Sequence, residues 1–417
     1  MTRYDLAATS INGIIGAGIF GLPSAAAGML GVASPIGFVI CAVIVYVIVL
    51  CFAEVASRFT GTGGPYLYAR ESLGRFVGFE VGWALWLARV GAFAANSNLL
   101  VSYTGFFIPQ VTEGLGRAAV LIIVPGVLML INIRGVTPSA RFGAIVAAFK
   151  IGGLLLFAIA GLAFVNWNTF FEPSVQTKTN WPGAILLLIY MFTGFEASVI
   201  AAAEAKDPVR DLPWGLIRAL GISAVIYVLV QTVALGTVPN LSSSQRPLAD
   251  SAQTFMGPAG GTFIALLACI SIIGNLTASA LGSSRLTYAF AERKDFPALF
   301  GILHPVYRTP IASIVFVSVI CAILAISGTF VWLVTVSVIA RLVTYMATCL
   351  AVPLLRKQSR ESAHFHIPFG ALIPISGVML CLWLIIHAET RDVRDFVVAS
   401  VVGALLYLAR PRHSAVR

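Results

Sequence analysis

The first hydrophobic stretch of the chain is interrupted by glycine and reads Ile14-Ile15-Gly16-Ala17-Gly18-Ile19-Phe20-Gly21-Leu22-Pro23. Apolar residues continue on both sides of it, from about Leu6 to Leu30, which is long enough to cross a bilayer of about 30 Å. Each glycine weakens a helix by roughly 1 kcal/mol relative to alanine, so we expect the helix to unwind at mid-membrane depth. Backbone N–H and C=O groups freed there cannot face lipid and must line a cavity or contact a ligand.

A helix that restarts at such a break points its free amides and the positive end of its dipole into the cavity. Such an end suits a carboxylate, and broken-helix transporters hold anionic groups near the midplane in this way. The same segment also fits G-x-G-x-x-G, but a dinucleotide site needs a preceding strand and an acid about 20 residues further on. The first acid after the segment is Glu54, so we predict no dinucleotide site.

The composition places the chain in the membrane. Of its 417 residues, 59% are hydrophobic and only 11% are charged, whereas soluble proteins carry about a quarter charged residues. We predict an all-α membrane protein with about twelve transmembrane helices. Their loose boundaries are 6–30, 35–58, 75–108, 118–135, 139–165, 181–204, 213–237, 261–291, 310–327, 330–355, 368–388 and 394–410.

Charge and cysteine patterns refine this prediction. With a cytoplasmic N-terminus, most of the 27 Lys and Arg residues lie on the inner side, as the positive-inside rule requires. We therefore predict cytoplasmic N- and C-termini in an inner or plasma membrane. All six cysteines fall inside hydrophobic runs, which predicts buried apolar side chains and neither a disulfide framework nor a metal site.

A second break lies in the sixth predicted span, which reads Tyr190-Met191-Phe192-Thr193-Gly194-Phe195-Glu196-Ala197. The first and sixth spans occupy corresponding places in two five-span halves, and the second half is inverted because each half has an odd number of spans. This pattern favours inverted repeats over 1–165 and 181–355, with two additional helices in 356–417 and a midplane site between the breaks. The alternative is that Gly194 is a packing glycine of the kind common in membrane helices.

Five motifs then occur in order. They are the broken first span, the Gly-Gly-Pro-Tyr loop within Thr60–Arg70, the Gly-Phe-Glu break, the Lys-x-Pro-x-Arg-x-x-Pro loop within Glu204–Pro213, and the Ser-Arg-x-x-Tyr-Ala segment within Ser283–Pro297. In this order they resemble the permeases of the amino acid–polyamine–organocation (APC) superfamily over about 1–355. The resemblance implies the five-plus-five inverted repeat, alternating access, and amino acids or related amines as cargo. Composition alone would equally allow the three loops to be solvated turns.

The resemblance also implies substrate-binding residues. It assigns the backbone amides of Gly16, Ala17 and Gly18 to the substrate carboxylate, and the carbonyls of Ile14 and Ile15 to part of the ammonium group.

In the sixth span, the resemblance assigns Tyr190 the role of a gating aromatic one helical turn before Gly194, where it can shield the site and contact an ammonium group. The alternative is a packing tyrosine. Phe192 is a weaker candidate for the substrate site, and packing is the simpler explanation for it.

Three charged side chains lie inside the spans near the breaks. Glu196 could bind a cationic substrate, exchange a proton, pair with an arginine or hydrogen-bond freed backbone. Arg89 and Arg341 could recognise a carboxylate and so set selectivity toward neutral or acidic cargo. They could instead form structural pairs with Glu196 or Glu80, or cap backbone carbonyls.

Lys150 lies near the middle of the fifth span, too deep to reach water easily. In several APC relatives a lysine at the matching place occupies the region of a sodium ion, with its ammonium on carbonyls of the first and eighth spans. Here this resemblance points to Gly13–Ile15 and to Asn275 or Ser279. It implies transport that is independent of sodium and coupled to protons or to exchange. The alternative is a structural lysine with no part in coupling.

The sequence thus predicts a secondary transporter of amino acids without cofactor or metal, since it carries none of the H-E-x-x-H, G-x-S-x-G or Walker A signatures. Its predicted partners are the small-molecule substrate, protons and the lipid bilayer. Two alternatives are kept. They are a polyamine or other amine antiporter of the same fold and a non-transporting sensor on the permease scaffold. A light chain linked to a single-span partner would need a cysteine in an outer loop, and all six cysteines fall inside hydrophobic runs.

Overall fold

The computed structural model describes residues 3–59, 64–135, 140–171, 179–201, 207–358 and 365–408. These residues form helices and connecting segments without any strand. The helices are α1 Arg3–Ile14, α2 Gly18–Leu30, α3 Ser34–Ala56, α4 Gly64–Leu73, α5 Arg75–Thr104, α6 Gly114–Ile133, α7 Ala140–Leu162, α8 Trp181–Ile189, α9 Glu196–Ala201, α10 Pro208–Thr237, α11 Pro247–Glu292, α12 Ile311–Ser327, α13 Phe330–Gln358, α14 Leu372–Ile386 and α15 Thr390–Leu408. Parts of two motif loops (60–63 and 204–206), the outer-side Lys178 and the basic C-terminal residues 409–417 lie outside this description.

Both predicted helix breaks are present. The first hydrophobic stretch ends as α1 at Ile14 and restarts as α2 at Gly18. The sixth ends as α8 at Ile189, continues for one 3₁₀ turn over Tyr190–Phe192 and restarts as α9 at Glu196. Glycine-rich sequence therefore interrupts the helix in both places, as its low helix propensity predicts.

The two breaks lie directly against each other. A Cβ atom placed on Gly194 would be 2.3 Å from the carbonyl oxygen of Gly13, and one placed on Gly13 would be 2.6 Å from the carbonyl oxygen of Gly194. Gly194 also has a φ of +102°, which other residues adopt only under strain. Only glycine at both positions lets the broken helices cross this closely.

A tyrosine from α10 fastens the crossing. The Tyr227 hydroxyl lies 2.7 Å from the Ile14 carbonyl oxygen and 2.9 Å from the Met191 carbonyl oxygen, so one side chain contacts freed backbone of both breaks. Its ring packs edge-to-face on Phe192, with the ring centroids 5.1 Å apart. The hydroxyl has one proton, which it can donate to either carbonyl, so freed backbone of the crossing has a polar partner inside the protein, as the membrane interior requires.

Helices α5 and α13 form the centre of the helical assembly. Their apolar windows are 72% buried, against 17% for Gly114–Ile133, so α6 lies at the periphery. Ser337 of α13 donates a hydrogen bond of 2.7 Å to the Ala88 carbonyl of α5, and Trp86 of α5 donates one of 2.8 Å to Thr287 of α11. These hydrogen bonds join α5 to α13 and to α11.

Two of the three motif loops are joined to each other. Asp295 accepts a hydrogen bond of 3.2 Å from Tyr66 and forms an ion pair of 2.8 Å with Arg75. The Arg293 guanidinium lies over the Tyr66 ring, 4.9 Å from its centroid. The described parts of these loops are therefore packed against each other rather than solvated as independent turns.

By length and composition, seven described helical stretches could cross a membrane, and the bent pair α14 and α15, at 112° to each other, could make an eighth. The count of twelve spans therefore stays a prediction. In addition, α11 begins at Pro247, before the predicted span at 261–291, and bends at Gly257, where φ is 67°.

The crossing of the two breaks leads to a stability prediction. Gly194→Ala should destabilise the protein by about 1–3 kcal/mol, because the added methyl group collides with the Gly13 backbone and the residue must keep a positive φ. Gly221→Ala is the matched control, since a Cβ there meets no atom within 4 Å. Apparent melting temperatures in detergent measure both effects, and an equal effect of the two substitutions would contradict the crossing.

Candidate functional site

A cavity of about 290 Å³ lies between the two breaks and helices α5, α11 and α13. Its lining is mostly small or polar, with charged side chains confined to one part of it. The lining residues are Gly13, Ile14, Gly16, Ala17, Gly18, Arg89, Ala92, Tyr190, Met191, Thr193, Gly194, Glu196, Asn275, Ala278, Ser279, Gly282 and Arg341.

The first break presents free amides at this cavity. The amides of Ile15 and Gly16 are used locally, since they donate to the Ile11 and Ile14 carbonyls at 2.8 and 2.7 Å. Within the described residues, the next three amides, at 17–19, donate to no acceptor, and no side chain caps α2. Ala17 and Gly18 line the cavity, whereas Ile19 does not. Unused donors at the positive end of a helix dipole suit an anionic group.

The Ile14 carbonyl, in contrast, is already occupied. It accepts hydrogen bonds from the Gly16 amide and the Tyr227 hydroxyl, which uses both lone pairs of a carbonyl oxygen. An ammonium group bound at the first break would therefore have to use a different carbonyl in this conformation.

A chain of polar side chains borders the amides. The Tyr190 hydroxyl donates to Asn96 at 2.9 Å, and Asn96 donates to Asn275 at 2.9 Å. The Tyr190 ring also lies beside Gly18, where a Cβ atom would be 3.1 Å from ring carbon Cδ1. The tyrosine is thus held by its hydroxyl beside the start of α2.

The acid of the second break is fully paired. Glu196 Oε1 accepts from Arg341 at 2.8 Å and from the Tyr345 hydroxyl, and Oε2 accepts from the Gly194 amide at 2.7 Å. Arg341 and Glu196 are both buried. Of the alternatives open from sequence, the structure shows the pair with arginine and the bond to freed backbone together.

Arg89 differs from Arg341. It lies half-buried on α5 and lines the cavity. In the described part of the chain, no carboxylate lies within ion-pair distance of it, and its guanidinium makes no hydrogen bond. An unpaired guanidinium inside a membrane protein marks a candidate substrate contact.

Lys150 reaches the first break from α7, outside the cavity lining. Its ammonium donates to the Asn12 backbone carbonyl at 3.1 Å and to the Asn12 side-chain oxygen at 2.8 Å. The predicted partners were the carbonyls of Gly13–Ile15, so the contact falls one residue earlier on α1. No bond from this ammonium to Asn275 or Ser279 is found.

The cavity gathers most of the residues that the sequence singled out, while Ile15, Phe192 and Lys150 lie outside its lining. The sequence analysis did not single out Asn96 or Tyr227. Both could have been singled out from the sequence, because a polar side chain in the middle of an apolar span is costly to bury and needs a hydrogen-bond partner.

Fold and cavity together describe a membrane transporter built on two broken helices, and comparison with known proteins agrees. The family model for amino acid permeases matches residues 2–407, and the chain belongs to this family. It is 29% identical to the methylthioribose transporter of Bacillus subtilis (strain 168), over 99% of this chain and 93% of that protein. The protein is therefore an integral membrane transporter and not an enzyme.

Two further relatives come from the same bacterium. The chain is 27% identical to the branched-chain amino acid permease BcaP, over 98% of this chain and 92% of the permease. It is also 27% identical to the glutamate/serine transporter AimA, over 87% of this chain and 72% of that transporter.

The buried pair gives a prediction that separates structure from binding. Arg341→Met should cost about 3–5 kcal/mol of stability, because it leaves a buried carboxylate without its cation. The double variant Glu196→Gln/Arg341→Met should recover much of this loss, since both charges are gone. Melting temperatures in detergent report the difference, and an Arg341→Met protein as stable as the wild type would argue against a structural pair.

Proposed function

We propose that the protein is a sodium-independent secondary transporter that moves amino acids by alternating access. The observation that carries this proposal is the set of amides at 17–19 that donate to no acceptor among the described residues, of which those of Ala17 and Gly18 belong to residues that line the cavity. Backbone donors recognise the carboxylate that all amino acids share and leave side-chain selection to the cavity walls. The names of two relatives, a branched-chain permease and a glutamate/serine transporter, support the same substrate class.

The second break supplies the complementary charge. Helix α8 and its 3₁₀ turn end at Phe192, and Thr193 and Gly194 line the cavity just beyond. A helix C-terminus carries the negative end of the dipole, which suits the substrate ammonium. The two helix ends thus suit the two charges of a zwitterion: the amide end of α2 suits the carboxylate, and the carbonyl end at Phe192 suits the ammonium.

Alternating access follows from the inverted-repeat organisation that we propose for 1–165 and 181–355. At the crossing itself the broken helices meet through glycine backbone at Gly13 and Gly194, and Tyr227 contacts both breaks from α10. We place the protein in the cell membrane with both termini in the cytoplasm, as its charge distribution favours. The two helices after 356 complete the helical assembly.

Coupling without sodium rests on Lys150. Its ammonium already occupies oxygen ligands at the first break, those of Asn12. A cation fixed there takes the place of a bound metal ion and repels a second one. Substrate flux is then driven by protons or by exchange.

The charge in the cavity argues against an amine antiporter. Its charged lining consists of Arg89, Arg341 and Glu196, and Glu196 is neutralised by Arg341. A polyamine would meet a net positive wall. A non-transporting sensor is excluded if purified protein moves labelled substrate across a vesicle membrane.

A larger side chain at Gly18 tests the amide site, because it occupies the space in front of the amides. Gly18→Val should abolish substrate binding, because even a Cβ there would lie 3.1 Å from the Tyr190 ring and 3.2 Å from Met191. Gly126→Val is the control, since nothing lies within 4 Å of a Cβ at that position. Binding of labelled amino acids to purified protein is the measurement. Saturable binding by a well-folded Gly18→Val protein would contradict the proposal.

The coupling role of Lys150 is tested in proteoliposomes. We expect wild-type uptake to be unaffected by replacing sodium with choline, and Lys150→Ala to lose uptake or its dependence on pH. Lys357→Ala, which removes an exposed lysine of α13, should behave as the wild type. A requirement for a sodium gradient, or full activity of Lys150→Ala with an unchanged pH profile, would refute this role.

A further inference from the structure

We infer that Arg89 forms a second anion subsite in the cavity and that the preferred cargo is a dicarboxylic amino acid. This inference rests on the proposed function, because it takes the amides at 17–19 as the site of the α-carboxylate. It goes further by assigning the side-chain carboxylate of the cargo to one residue.

The cavity has two levels along helices α5 and α11. At the upper level, Asn96 of α5 donates a hydrogen bond to Asn275 of α11. Asn275 borders Gly16, where an added Cβ would lie 3.0 Å from the side-chain nitrogen Nδ2 of Asn275. At the lower level Arg89 of α5 faces Gly282 of α11, where a Cβ would lie 2.6 Å from the guanidinium nitrogen Nη1. The hydrogen bond from Trp86 to Thr287 lies beyond the lower level.

The two levels lie at different places along α5. Asn96 and Arg89 are seven residues apart on this helix, a rise of about 10 Å at 1.5 Å per residue. Gly16 of the first break borders the upper level and the Arg89 guanidinium borders the lower one, so a cargo with two carboxylates can place one at each level.

The charges of the cavity favour the same cargo. The cavity lining holds two guanidinium groups, those of Arg89 and Arg341, and one carboxylate, that of Glu196. Both oxygens of that carboxylate are already bonded to groups other than Arg89. Arg341 is paired, so the uncompensated positive charge belongs to Arg89. An extra carboxylate on the substrate neutralises it, whereas a neutral side chain leaves it unpaired and a cationic one adds repulsion.

Gly282 gives the guanidinium its position. A methyl group on this glycine would collide only with the end of the Arg89 side chain, which is long and can move. Gly282→Ala therefore displaces the charge without disturbing helix packing. This provides a second variant that does not change Arg89 itself.

The test uses purified full-length protein in proteoliposomes and compares uptake of L-glutamate with L-glutamine, and of L-aspartate with L-asparagine. Each pair is nearly identical in shape and differs in charge. We expect the wild type to prefer the acid over the amide at least about tenfold, as a charge-assisted hydrogen bond implies. Arg89→Gln should reduce this preference at least about tenfold, Gly282→Ala should reduce it in part, and Arg391→Gln, which removes an exposed arginine of α15, should leave it unchanged.

The outcomes separate the two claims. Uptake of acids and amides at equal rates by the wild type, or an unchanged preference in both Arg89→Gln and Gly282→Ala, overturns the subsite while amino acid transport stands. A preference for lysine or arginine also overturns it. If no amino acid of the panel is taken up and none binds, the proposed function fails and the subsite fails with it.

Discussion

The close approach of Gly13 and Gly194 is the constraint on which the rest of the structure depends. A Cβ atom added to either glycine would lie 2.3–2.6 Å from the carbonyl oxygen of the other. Neither helix can therefore continue through the crossing as an ordinary helix with side chains. The interruption frees amides on one side and carbonyls on the other. Because lipid cannot satisfy them, they must be used by the protein or by a ligand.

The protein uses some of these groups and leaves others free. The Tyr227 hydroxyl lies within hydrogen-bond distance of a carbonyl from each break. Glu196 accepts from the Gly194 amide, and Lys150 donates to oxygens of Asn12, just before the first break. The amides at 17–19 remain unused beside a cavity of about 290 Å³. The same division holds for charge, since Arg341 is bound to Glu196 while Arg89 has no such partner among the residues that the structure describes. The groups left over define what the cavity can bind.

Much of this could be predicted from sequence, because it depends on local composition. Long apolar runs predicted the helices, and glycines within two of them predicted both breaks. The Asn96–Asn275 contact and the position of Tyr227 could not be predicted, since their partners are distant in sequence and depend on how helices rotate against each other. The same rotation explains why Lys150 contacts Asn12 rather than Gly13–Ile15. Helix α11 begins earlier than expected because its first turns are too polar to register as a membrane span.

The central claim is that unwound backbone at the first break recognises the α-carboxylate of the cargo. Binding of an amino acid that the protein transports should be compared, on purified protein, with binding of its methyl ester and of its decarboxylated amine. The account predicts saturable binding of the free amino acid and loss of at least about tenfold in affinity for both derivatives, since charged hydrogen bonds to the amides are lost. Equal affinity for the decarboxylated amine would contradict it and would point to the amine group as the feature that is recognised.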